Sequence, residues 1–407
     1  MDVLRLDCGV QHYAWGDTEF IPSLLGINNR KGRPFAELWM GAHPDLPSSA
    51  QLGDASIPLD NLISETADEI LGTDVSLRFS ATLPFLFKVL SAAKPLSIQT
   101  HPSRERAKAG FAKENQAGIP LTARERNYKD ENPKPELIVA LTDFYALRGF
   151  RPLSEIETSL EAAPELSSGE HSQRDPTDLK SLYKNYMTLP QDDVDQILGA
   201  LIERLTRENE KRPFSREDQE FWILRSDREF SRSGKRDRGL FSIYLLNLVH
   251  LKPGEGLYLS AGVLHAYLEG SGIEIMANSN NVLRGGLTPK HVDVTELLAN
   301  VTFECGPAEI LRPTQNRPRQ EWTYSTPATE FELRRIEVSA SHPYQSATNH
   351  EVEILIVTHS RKGTRAEIET SGKSTSLKRG HVCLIPHGTT YTIRANQPIT
   401  LYKATVP

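Results

Sequence analysis

LKPGEGLYLSAGVLHAYL, residues 251–268, is a string of short apolar runs broken by Pro-Gly and Ala-Gly turns, the texture of antiparallel strands in a jelly roll. The pattern returns without a gap later in the chain, where LKRGHVCLIPHGTTYTI, residues 377–393, lies over residues 251–267. The Leu-Lys-x-Gly turn and the later glycine both fall in register, as they do in two copies of one sheet element. His265 of the first copy is matched by Tyr391 in the second. If His265 holds a metal, the later copy has lost its site; if His265 only packs, the change carries little. One polar difference between otherwise matched copies favours the metal.

Around this repeat, a chain of 407 residues exceeds one ordinary core and implies two or three domains. Its 26 glycines and 26 prolines suit a turn-rich, partly β protein. A net charge of −6 argues against a non-specific nucleic-acid binder, so no nucleic-acid partner is expected. Cys8, Cys305 and Cys383 are scattered and show no CxxC spacing, which fits a reducing compartment. Asp2, Arg5 and Asp7 interrupt the first apolar residues, and no apolar run is long enough for a bilayer. The expectation is a cytoplasmic protein with no membrane partner and, lacking heptads, a monomer.

Along the chain, LPFLFKVL and LSIQTH read as strands joined by SAAKP, and PELIVALTDFYALRGF repeats that style after residue 133. Between them RERAKAGFAKENQAG reads as a helix with a glycine stop. The composition changes at residue 152. Ser154 and Glu157 are spaced as a capping box, and Val194, Ile197, Leu198, Leu201, Ile202 and Leu205 form one helical stripe that packs as core. Residues 151–240 therefore read as a helical insertion, with polar breaks at SSGEHSQRDP and SRSGKRDRG.

Within KPLSIQTHPSRERA, residues 94–107, Gln99 and His101 alternate on one strand face, separated by roughly 7 Å of backbone. Pro102 then ends the strand. Glu136 opens another apolar strand, where an inward charge needs a partner. Gln99, His101, His265 and Glu136 would together suit zinc. No HExxH motif is present, so spacing alone leaves a metal site and scattered structural polar residues both open. Three cations sharpen the first reading. Lys88 lies inside an apolar strand, Lys134 shares the face of Glu136, and Arg284 precedes Gly-Gly, where a backbone can approach a ligand. Metal ligands beside cations fit a small anionic substrate, such as a phosphate ester.

These residues sit in YAWG (13–16), ELWMGAHPDLPS (37–48), LPFLFKVLSAAKPLSIQTHPS (83–103), YKDENPKPE (128–136) and HAYLEGSGIEIMANSNNVLRGGLTPK (265–290). In this combination the chain resembles the type I mannose-6-phosphate isomerases, zinc enzymes of the cupin superfamily. The resemblance is strong to about residue 310, weak in the insertion and only architectural beyond. It implies a mainly β fold with two cupin-like jelly-roll domains and a small helical domain. Residues 1–150 with 241–310 would form the metal-binding catalytic unit, 151–240 the helical insertion, and 311–407 a second, degenerate unit. Gln99, His101, Glu136 and His265 would ligate one zinc ion. Ser97 and Lys88 would hold the sugar phosphate, while Lys134, Glu274 and Arg284 would line the reacting end.

The implied reaction moves a proton between C2 and C1 of mannose 6-phosphate and fructose 6-phosphate through a cis-enediol. Arg284 would stabilise the enediolate, and Lys134 or Glu274 would transfer the proton. Two positions depart from the family pattern. Pro133 stands where the family has histidine in Asn-His-Lys-Pro-Glu, and Asn280 stands where it has aspartate in Ser-Asp-Asn. Neither touches the four ligands, so they bear on the base more than on the reaction. The competing expectations are an altered paralogue that binds or senses sugar phosphates, or another metal-dependent cupin enzyme.

Overall fold

The computed structural model describes residues 2–167, 178–316 and 320–407, so most of the polar break at 167–176 lies outside them. The chain is mainly β, with a run of helices and no described strand between Leu153 and Leu245. Among the described residues no helix is long and apolar enough to cross a membrane.

LPFLFKVL folds within the strand Phe85–Ala92, which is buried at every residue. A strand covered on both faces reads as one continuous apolar run, which is why alternation is absent there. Ile98–Thr100 follows as a three-residue strand, ended before Pro102. Both pair with the long strand His265–Ala277, which also receives Glu136–Ala140 and Phe144–Phe150. That strand bends at Gly270, whose φ is +130° and where a Cβ would sit 2.6 Å from the Asp143 carbonyl oxygen. It therefore gathers Gln99, Glu136, Lys88 and His265 onto neighbouring strands.

The insertion is helical as expected, and Val194, Leu198, Leu201, Ile202 and Leu205 of the helix Gln191–Lys211 are buried, with Ile197 packed beside them. The capping box does not form. Helix Leu153–Ala162 starts before Ser154, with Pro152 as its cap and no side-chain cap. Ser154 is drawn into the first turn, where its carbonyl accepts the Thr158 hydroxyl at 2.9 Å. Ser103 does cap Arg104–Gln116, and Gly118 turns the chain after it with φ +70°.

A nine-stranded sheet holds most of the C-terminal strands, but also takes in Leu4–Asp7, Ser49–Leu52 and Ala55–Pro58. Leu4–Asp7 pairs with Val382–Ile385, so the N-terminal strand crosses from the unit expected at 1–150 to the later sheet. The cause is packing: Leu4 and Leu6 share one apolar core with Phe87, Ile354 and Leu384.

The repeat is visible in backbone and register. Gly254 and Gly380 have φ +90° and +81°, and Gly262 and Gly388 have +83° and +68°, so both copies place glycine in the left-handed region at the same turns. Leu259 and Ile385, matched by the ungapped alignment, pair with Glu136 and Glu353. Two residues on, Ile138 and Leu355 pair with Glu274 and Lys403. These in turn face Lys88 and Arg334 on the next strand. One strand further, Leu90 and Ile336 pair with Glu37 and Glu321.

Candidate active site

His101, Glu136 and His265 are buried and offer ligand atoms that all lie within 4.8 Å of one another. Among the described residues no other trio of His, Cys, Asp or Glu is gathered this way. Pairing of His265 with Gln99 and of Leu259 with Glu136 brings these strands together. His101 Nδ1 donates to the Asn281 carbonyl at 2.8 Å, and His265 Nδ1 donates to the Val263 carbonyl at 3.0 Å. Each ring therefore turns an Nε2 lone pair inward, 3.2 and 3.5 Å from the Glu136 carboxylate.

Both Nε2 atoms are buried without a hydrogen-bond partner. Burial pushes the His101 imidazole down to about 4, so the ring is neutral at ordinary pH. Burial also opposes ionisation of Glu136, yet positive charge around it, with the Lys134 ammonium 3.5 Å away, holds its carboxyl well below the usual range. Two lone pairs and a carboxylate aimed at one point repel unless a cation stands there, and an unsatisfied buried polar atom costs about 1–3 kcal/mol. The donor set of two imidazoles and one carboxylate fits zinc, with backbone carbonyls fixing both rings from behind.

Residues 3–153 match the sequence model of the phosphomannose isomerase type I catalytic domain. The mannose-6-phosphate isomerase of Escherichia coli is 43% identical over 336 residues, covering 80% of this chain and 82% of that one. The chain belongs to the type I phosphomannose isomerases. The mannose-6-phosphate isomerase of Bos taurus is 34% identical over 444 residues, covering 100% of this chain and 96% of that one. A crystal structure of the Salmonella typhimurium mannose 6-phosphate isomerase, bound to substrate and zinc, superposes with a TM-score of 0.88 at 34% identity, covering all of both chains.

Beside the phosphomannose isomerase trio lies a charged network. Lys134 Nζ is 3.5 Å from Glu136 Oε1, so the two share a face as their spacing predicts. Lys88 is buried and finds its anions inside the protein: Glu274 at 3.0 Å and Glu37 at 3.8 Å, with the Trp39 ring beneath its ammonium. The charge of the buried Lys88 is therefore matched by two carboxylates of the protein itself. Tyr267 donates to Glu274 at 3.0 Å. Burial and the Glu136 and Glu37 charges push the Glu274 carboxyl up, against the pull of Lys88.

Arg284 pairs in register with Gln99, and neither side chain makes a hydrogen bond or ion pair among the described residues. Ser97 precedes Ile98, which pairs with Gly286. The Arg284 guanidinium is close enough to Lys129 and Lys290 to lower both ammonium groups, burial contributing most in each case. Lys129 and Lys290 extend this cationic edge, and sequence spacing alone gives no sign that they meet Arg284.

His43, within ELWMGAHPDLPS, adds a third buried imidazole that sequence spacing does not connect to the site. It is 2% exposed, packs edge-on to Trp39, and accepts the Asp45 N–H at Nδ1. Burial, with Lys88 and Lys134 nearby, holds its imidazole below the usual range, against Asp45. Asn280 donates to the Asp45 carboxylate at 3.3 Å. A carboxylate thus stands beside Asn280, where the chain lacks the family aspartate, and an imidazole stands near Lys134 although Pro133 replaces the family histidine.

The matched positions in the C-terminal sheet carry different chemistry. Tyr391 donates to Glu353 at 2.6 Å, and Lys403 Nζ lies 2.8 Å from Glu353 and 2.7 Å from Glu321. Phenol and ammonium occupy the places of His265 and Glu274, so that cluster lacks the imidazole pair.

Proposed function

We infer that the chain interconverts mannose 6-phosphate and fructose 6-phosphate as a zinc-dependent aldose–ketose isomerase. One observation carries the reading: the orphaned Nε2 atoms of His101 and His265, turned onto Glu136 beside Lys134. The relatives' names and the neighbour bound to substrate and zinc support it. His101, Glu136 and His265 would hold the ion, with the unengaged Gln99 amide as fourth ligand. When bound, zinc supplies positive charge that favours ionisation of the sugar's neighbouring groups.

The chain's own residues do the rest. Glu274, with its raised carboxyl, moves the proton between C1 and C2, and Lys88 and Tyr267 hold it in place. Lys134 stays beside Glu136 and is the weaker candidate for the base, because a charged ammonium has no lone pair. Arg284 stabilises the enediolate. The phosphate falls to Ser97 with Lys290 and Lys129, since the charge of Lys88 is already matched by Glu274 and Glu37. The reading takes the chain as a cytoplasmic monomer acting on a free small molecule.

The test is isomerisation of mannose 6-phosphate in heavy water. Fructose 6-phosphate carrying solvent deuterium at C1 is expected from a proton-transfer route. Ligand binding by the zinc-loaded protein without product or exchange would replace this reading with a sugar-phosphate sensor.

A further inference from the structure

Asp237, near the end of the helical insertion, reaches the loop between Arg284 and Lys290. Its Oδ1 accepts the Leu287 N–H and the Gly239 N–H, each at 2.7 Å, and its Oδ2 accepts the Thr288 N–H at 3.0 Å. This loop has a conformation that needs holding. Leu287 is fully buried with φ +51°, in the left-handed region that non-glycine residues rarely enter. A Cβ on Gly286 would lie 2.4 Å from Gly239 Cα, and one on Gly239 would lie 2.5 Å from Leu287 N, so insertion and loop touch backbone to backbone. On the far side Arg124 donates to the Pro289 carbonyl at 3.3 Å.

We propose that Asp237 is a positioning residue for the isomerisation: by gripping Leu287 and Thr288 it fixes where Arg284 and Lys290 present their charges to the sugar phosphate. The inference rests on the reading of Arg284 and Lys290 given above. The guanidinium of Arg284 makes no hydrogen bond or ion pair among the described residues, so the backbone on either side sets its position. A carboxylate accepting two loop N–H groups is a charge-assisted clamp on that backbone. Through this one side chain the end of the insertion bears on the position of Arg284.

The zinc-loaded chain carrying Asp237→Ala is compared with Asp237→Asn and with Glu165→Ala, which breaks the insertion's ion pair to Arg204 and leaves the hydrogen bonds of Asp237 to the loop in place. Asp237→Ala is expected to lower kcat/KM at least tenfold, with KM raised, kcat reduced and one zinc retained. Asp237→Asn keeps one acceptor but turns a donor toward an N–H, and should fall in between. Glu165→Ala should lower Tm and leave kcat/KM within twofold. Should Asp237→Ala fail to fold, Asp237→Asn decides. Folded Asp237 variants within twofold of wild type, or an equal loss in Glu165→Ala, would overturn the proposal. Arg284→Ala separates the two levels: full activity there removes the reading of the site, whereas loss there with active Asp237 variants removes only this inference.

Discussion

Lys403 stands in the C-terminal sheet where Glu274 stands beside the metal trio: each pairs across from the matched residues Leu355 and Ile138. Around Lys403 the matched carboxylates remain, Glu353 at 2.8 Å for Glu136 and Glu321 at 2.7 Å for Glu37. An ammonium thus supplies the positive charge that these acids require, where the first copy gathers imidazoles for a metal. This difference gives the two halves separate behaviour under mutation.

Metal content should follow the first copy alone. His265→Ala is expected to lose zinc, whereas Tyr391→Phe should retain one ion per chain, measured by elemental analysis after gel filtration. Equal loss in both variants would remove the argument that the second copy has surrendered its site.

Lys403→Met leaves Glu321 and Glu353 buried without their ammonium. A cost of about 3–5 kcal/mol in urea unfolding is expected, the scale for breaking one partner out of a buried pair. The pH sign follows from Glu321. Burial opposes its ionisation, but Lys403 holds the folded carboxyl below its ordinary value of 4.5. The stabilisation is therefore fully present above that value and fades as pH falls through the folded one. Wild type should lose more stability than Lys403→Met between pH 6 and pH 3; parallel curves would show the pair to be inert.

Glu274→Gln should reduce kcat by at least about 100-fold, the scale of a general acid–base group, with zinc content kept and KM little changed. Lys88→Met should lower both stability and kcat, because it removes the ammonium from Glu274 and Glu37 together. An intact kcat in Glu274→Gln would shift the proton transfer to another group.

Thiol reactivity offers an independent check on packing. Burial pushes Cys8 and Cys383 up to about 12, while Cys305 is exposed. At pH 8 the first two hold almost no thiolate, so an aromatic disulfide reagent should titrate one thiol quickly and all three only in denaturant. Rapid reaction of two or three in the native protein would contradict these positions.

How much of this was legible in the sequence follows from the range of each signal. The glycine turns at 254, 262, 380 and 388 are local, so the repeat could be read directly. Gln99 and His101 share a face by strand periodicity, and Lys134 with Glu136 likewise. His265 stood out through its replacement by Tyr391 in the repeat and Glu136 through its charge at the start of an apolar strand, and the family resemblance then joined a grouping that spacing left open. What escaped was set by tertiary register: Glu37 beside Lys88, Asn280 beside Asp45, and the pairing of Leu4–Asp7 with a strand at the other end of the chain. Ser154 misled because its capping-box spacing was right while Pro152 had already started the helix.

Zinc held by His101, Glu136 and His265 is what the isomerase activity depends on. The most direct test of this dependence is conversion of mannose 6-phosphate to fructose 6-phosphate by the purified chain, before chelation, after it, and during stepwise return of zinc. Activity is expected to disappear with the metal and to recover in proportion to occupancy, reaching its limit at one ion per chain. Full zinc occupancy with no turnover, or undiminished turnover in the stripped protein, would contradict it.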